Sequence, residues 1–141
     1  MGVLNFQTGR KTYTVNDGCE ISFDPTDIRF VNGLFDLFDR LEKQQDEQPQ
    51  NPENAFAYAA QRDRELREQI DALFDEPVCE KIFGRTNVLS PSGGGLPVAM
   101  NFLLAIIDEV DAAAEKETKP SAKVDAYIRK YEQKYGKYMR K

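Results

Sequence analysis

The chain has 141 residues, with 19 basic groups, 24 acidic groups, a formal net charge of -5 and no histidine. At this length one domain with an appended tail is the default, and a hydrophobic fraction of 40% with nine phenylalanines is enough to bury a core. The acidic balance argues against a general nucleic-acid binder, and the lack of imidazole removes the usual general base near neutral pH and the commonest metal ligand.

The charge is uneven. Seven of the 19 basic groups and two of the 24 acidic groups lie from Pro120 onward, which leaves twelve and twenty-two, a balance of -10, in residues 1–119. An acidic body with a basic tail is a common layout for an interaction protein. Cys19 and Cys79 lie far apart with no CxxC spacing, the usage expected of two reduced thiols in a cytoplasmic protein. No apolar run approaches a membrane span and the N-terminus carries no signal-peptide core, so a cytoplasmic location is expected.

Residues 3–23 read as short β-prone runs split by turn residues, and Asn16-Asp17-Gly18 is a strong hairpin signal. A three-stranded meander would place Val3, Phe6, Tyr13, Val15, Ile21 and Phe23 on one apolar face. So few strands are marginal alone, so that face must pack on a helix. Asp24-Pro25-Thr26-Asp27 reads as a helix start, with Asp24 as the cap and Pro25 in the first turn. The first helix is expected from Pro25 to Asp46, with Ile28, Val31, Leu34, Phe35, Phe38 and Leu41 as its buried stripe. Gly33 either weakens it or permits a close helix crossing.

Residues 48–54 read as a connection. The second helix is expected from Glu53 to Phe74, with a charged middle whose pairs, such as Asp63 and Arg67, stabilise a solvated surface. Its apolar stripe is Leu66, Ile70, Leu73 and Phe74. A short helix should follow Pro77, with Gly84 at the left-handed position that ends it. Residues 85–97 hold three consecutive glycines and two prolines and read as a mobile loop. Neither a Gly-Lys-Ser/Thr sequence nor a GxGxxG closing onto a helix makes this a phosphate cradle. The third long helix, Val98 to Lys116, is apolar nearly all round and is expected at the centre. The stripes on either side of the loop are expected to bury each other, with the rest of the chain packed on that pair.

The segment from Ser121 onward can form one more helix. Val124, Ile128, Tyr131, Tyr135 and Tyr138 recur at helical spacing, flanked by Arg129, Lys134 and other cations. Tyrosine and arginine are favoured at partner interfaces. Three readings remain open: docking on the acidic body, protrusion to bind a partner, or nucleic-acid binding by stacking and phosphate contact.

The fold class expected is therefore mainly α with a small N-terminal antiparallel β-meander (α+β), a helical bundle of four to five helices. It divides into a helical domain, 1–119, with the meander at 3–23, and a basic, Tyr-rich helix or tail at 120–141. No catalytic, cofactor or metal residues emerge. The candidate partner-binding residues are Phe35 and Phe38 on the first helix, or Ile128, Tyr131, Tyr135 and Tyr138 with Arg129 and Lys134 on the last.

Residues 69–113 carry Ile70, Leu73, Phe74, Asp75, then Glu80-Lys81-Ile82-Phe83-Gly84, then Asn87, followed by the apolar helix Phe102–Val110. The N-terminal FDPTDIRFVNGLFDLFDRLEK adds a strand leading into a helix. This pattern resembles the tail assembly chaperones of Gram-positive siphophages and prophages. It departs from them in the inserted SPSGGG and the Tyr-rich tail. The resemblance implies a non-enzymatic binding protein, without cofactor, that engages the tape measure protein or tail-tube subunits. A homo-oligomer and a frameshifted longer form are compatible with it. The alternatives are a structural virion component, such as a head–tail connector or tail terminator, and a small host-directed regulatory protein.

Overall fold

The structure, a computed structural model, describes residues 1–45, 52–116 and 121–139. It begins with a two-stranded antiparallel hairpin, β1 (Lys11–Val15) and β2 (Cys19–Phe23), in which Tyr13 faces Ile21 and Lys11 faces Phe23. The turn closes with the Gly18 N–H donating to the Val15 carbonyl at 2.9 Å. Asn16 and Asp17, at φ 48° and 59°, carry the left-handed conformation, while Gly18 does not. Both are residue types that tolerate it through short polar side chains. Alternation buries Ile21 and Phe23 and leaves Tyr13 and Val15 half-buried.

The expected third strand is absent among the described residues. Val3, Leu4 and Phe6 lie outside the sheet with their side chains exposed. The chain is held at Gly9, where an added Cβ would lie 2.6 Å from both the Asp24 carboxylate and the Thr26 hydroxyl. Only a residue without a side chain passes so close.

Five α-helices follow: α1 (Ile28–Gln44), α2 (Ala55–Phe74, entered through a 3-10 turn at Pro52–Asn54), α3 (Cys79–Phe83), α4 (Val98–Glu115) and α5 (Ala122–Tyr135, followed by a 3-10 turn at Gly136–Tyr138). The mainly α fold with a small N-terminal β-hairpin is thus as expected. The cap of α1 is Asp27, whose Oδ1 accepts from the Arg29 N–H at 2.9 Å. Asp24 instead accepts from the backbone and hydroxyl of Thr26. That local turn competes with helix for the residues around Pro25, so the helix starts three residues later than expected. Ile28 is consequently exposed rather than part of the stripe. Asp46, the expected end, lies outside the described residues.

Val31, Leu34, Phe35, Leu37, Phe38 and Leu41 of α1 are all buried. Adjacent members of this set point to different sides, so the apolar face is wide enough for two neighbours. α1 packs against α2 on one side and α4 on the other, and α4 packs against α5. The helices flanking the glycine loop share this core and also touch directly, Phe102 of α4 meeting Phe74 of α2 at 6.0 Å and Phe83 of α3 at 5.5 Å between ring centroids. Gly33 admits the Leu73 methyl of α2 to 2.9 Å from where a Cβ would stand, the close crossing its type allows. One core joins the hairpin, all five helices and Met139. The segment 121–139 thus shares the core of the helical body.

The connection from Gly84 to Val98 is not a free loop. Asp63 and Arg67 of α2, expected as a solvated pair, have side chains only 22% and 21% exposed. Asp63 Oδ1 accepts from the Val88 N–H at 2.8 Å, and Arg67 Nη2 donates to the Gly84 and Thr86 carbonyls at 2.8 and 2.7 Å. The two side chains pair at 3.1 Å. Val88, fully buried, plugs the core beneath them. Beyond it the chain folds into a narrow loop, with Val98 N–H donating to the Ser90 carbonyl and Ser92 N–H to the Leu96 carbonyl, at 2.9 and 2.7 Å. Gly95 takes the one positive φ within it, 95°. Asn101 Nδ2 holds Ser92 Oγ at 2.6 Å, and the Tyr138 hydroxyl donates to the Gly94 carbonyl at 3.4 Å.

Because Asp63 satisfies a backbone donor and a guanidinium together, Asp63→Ala is expected to cost about 2 kcal/mol in urea unfolding. Arg64→Ala, one residue along on an exposed position, should stay within about 0.5 kcal/mol of the parent. Equal effects from both would show that the clamp contributes nothing.

Candidate partner-binding surfaces

The two surfaces singled out in the sequence meet each other. Phe35 stacks on Tyr127 of α5 with ring centroids 4.9 Å apart and planes 9° from parallel. Phe38 takes Tyr131 and Tyr135 edge-on at 4.7 and 5.5 Å. These are favourable aromatic geometries, each contributing about 0.5–1.5 kcal/mol beyond area burial. Phe35, Phe38, Ile128, Tyr131 and Tyr135 are all buried by the contact. They form the α1–α5 interface in this arrangement and offer no open surface to a partner. Serine at Tyr131 and Tyr135 would therefore hollow the core before it reported on any partner.

Charge follows the apolar seam. Lys134 Nζ lies 2.9 Å from Glu42 Oε2, and Lys130 Nζ lies 3.9 Å from Asp39. Tyr135 donates its hydroxyl to Glu42 Oε2 at 2.6 Å. On the other flank Arg129 Nη2 reaches Asp111 Oδ1 of α4 at 2.9 Å, and the same guanidinium pairs with Asp125 and Glu132. Asp111 is 3% exposed, so this ion pair is desolvated on its carboxylate side and removing the arginine would be costly. Tyr138, half-buried, covers Gly94 of the loop: a Cβ there would stand 3.2 Å from its ring. Arg129 and Lys134 keep 41% and 61% of their side chains exposed and act as rim groups of an intramolecular interface.

Two features of this seam are testable. The Tyr131 hydroxyl is buried with no hydrogen-bond partner among the described residues, and a buried unpaired hydroxyl is costly. Tyr131→Phe is expected to stabilise the protein by about 1 kcal/mol, a rise in Tm of about 3 °C. A fall in Tm would mean that the hydroxyl is satisfied. Burial pushes the Glu42 carboxyl up, but the Tyr135 hydroxyl and the Lys134 and Lys130 ammonium groups outweigh it and hold it below its ordinary value. A carboxyl lowered in the folded state stabilises fully above its unfolded pKa, about 4.3, and loses that contribution as pH falls through the folded value. The difference in Tm between the parent and Glu42→Gln should therefore be largest near neutrality and shrink below about pH 4; a pH-independent difference would remove Glu42 from the linkage.

An open apolar surface lies elsewhere. A groove of about 580 Å³ runs between the hairpin, α3 and the start of α4. Half-buried Tyr13 and Val15 on one side and Ile82 and Phe102 on the other form its accessible walls, buried Ile21, Phe23, Phe83 and Ile106 lie at its base, and Ala105 is exposed between the walls. Phe102 meets Phe83 edge-on at 5.5 Å and Phe74 at 6.0 Å, which fixes its ring in the wall. Asn101, Ser92, Thr86 and Glu109 supply the polar rim. The sequence held a clue to it: α4 is apolar on more sides than its neighbours cover, and its Phe102–Ala105 edge is what the groove exposes.

Burial, then the nearby Asp71 carboxylate, pushes the Cys79 thiol well above its ordinary range; its N–H donates to Asp71 Oδ1 at 2.9 Å. This is a packed thiol, not a nucleophile. Among the described residues no group of three or more His, Cys, Asp or Glu side chains is placed to hold a metal ion, and no helix is long and apolar enough to cross a membrane. Comparison with protein families, characterised proteins and solved structures gives no match to this chain.

Proposed function

We propose that this protein is a non-enzymatic assembly factor of the phage tail chaperone kind, which takes an apolar helix face of an elongated partner, the tape measure protein, into the groove between hairpin and α4. The supporting observation is the groove itself: half-buried Tyr13, Val15, Ile82 and Phe102 face it over a buried apolar base, with a polar rim and exposed Ala105 leaving room between them. A helix laid in a groove is recognised by apolar anchors three and four residues apart. A volume of about 580 Å³ lies within the range of roughly 300–1,000 Å³ typical of concave binding sites. The sequence resemblance over residues 69–113 includes Ile82, Phe83 and Phe102, which line the groove. The client surface is thereby moved from the α1–α5 seam to the groove.

The reading is tested by co-expressing the chain with fragments of a siphophage tape measure protein and measuring co-purification. Ala105→Glu puts a charge at an exposed position between the groove walls, so it should lower capture about tenfold or more, as desolvating an unpaired charge requires, and leave the urea midpoint unchanged. Lys123→Glu, an exposed substitution on α5 away from the groove, should leave capture intact. Full capture by Ala105→Glu would overturn the groove as client site. Absence of the protein from purified particles by mass spectrometry, with capture retained during assembly, distinguishes an assembly factor from a structural part of the virion.

A further inference from the structure

We infer that the groove also receives the N-terminal segment Met1–Gly9 of a second copy of this chain. Four large exposed hydrophobic side chains, Met1, Val3, Leu4 and Phe6, fall within the first six residues, the last three exposed by 82%, 92% and 81%. Such a contiguous apolar segment in water marks an interaction element. The apolar groove and this apolar segment are on the same chain and do not meet.

The local geometry favours exchange between chains over closure within one. Lys11 faces Phe23 at the open end of the hairpin, and the groove runs back along the hairpin from Phe23 there to Val15 and Asn16 at the turn end. To fill its own groove the segment would have to reverse sharply where it leaves β1. At that point Gly9 is wedged against Asp24 and Thr26. A segment from another copy arrives without that reversal. Extended, nine residues span about 30 Å, ample to cross from one body to another. Both strands of the two-stranded sheet also have an edge with no further strand among the described residues, so an incoming extended segment can add backbone hydrogen bonds to the apolar contact.

Charge agrees with the assignment. Residues 1–11 carry Arg10 and Lys11 with no acidic residue, whereas Glu109 lines the groove and residues 12–119 carry ten basic and 22 acidic groups, a balance of -12. The contact is heterologous, a plug on one copy and a socket on the other; reciprocal exchange closes it into a two-fold dimer. The inference does not depend on the chaperone reading, and its test uses no client.

Sedimentation equilibrium of the full chain over a range of concentrations should give an average mass that rises above that of the monomer. A variant carrying Val3→Ser, Leu4→Ser and Phe6→Ser should remain monomeric, as should Ala105→Glu, each with an unchanged urea midpoint. Mixed one to one, these two variants should associate again, because one retains the socket and the other the plug. A parent that stays monomeric at every concentration, association that survives in either variant, or a mixture that remains monomeric would each overturn the inference.

Discussion

The packing of α1 against α2 and α4 is the contact on which the rest of the molecule depends. α1 buries six large apolar side chains, Val31, Leu34, Phe35, Leu37, Phe38 and Leu41, on a face broad enough for neighbours on both flanks. α4 contributes Leu103, Leu104, Ile106, Ile107 and Val110 to the same core. Burial of each such side chain stabilises by about 1.5–3 kcal/mol relative to exposure, so the set together dominates the exposed ion pairs. The hairpin joins the same core through a continuous aromatic contact, in which Phe23 stacks on Phe30 and both meet Phe74.

Polar groups decide how the less regular parts attach. Exposed ion pairs contribute little, and Lys130–Asp39, at 3.9 Å with the lysine 60% exposed, is of that kind. Asp63 and Arg67 differ because they satisfy backbone groups of the connection that leads to α4. Arg129 differs because its partner Asp111 is buried. The first set fixes the entry to α4, and the second fixes α5 across its far end. Both sets depend on tertiary geometry, since the partners lie 17 to 25 residues apart in sequence.

The docking of α5 bears directly on function. With Tyr131 and Tyr135 covered by Phe38, the basic helix completes the body and leaves its cations as a rim. What stays open is the opposite region, where a two-stranded sheet is too narrow to roof the start of α4. A hairpin of five-residue strands covers part of that helix and leaves a trough beside Phe102 and Ala105. The apolar surface available to a partner, or to a second copy, arises from this mismatch in size.

How much was legible in the sequence differs by element. Local signals set the helices and the turn: period-three-and-four stripes marked α1, α2, α4 and α5, Asn16-Asp17-Gly18 marked the hairpin, and Gly84 took the positive φ of 56° that ends α3. These depend on neighbours within a few residues, so sequence alone determined them, together with the class of fold. Which stripe covers which was decided only by tertiary structure. Phe35, Phe38, Tyr131 and Tyr135 read as surplus apolar surface because periodicity records that a face is greasy and not what lies against it. The same limit made Asp63 and Arg67 look solvated, made the glycine loop look mobile, and hid the groove, since a concavity belongs to several elements at once and to none of their sequences.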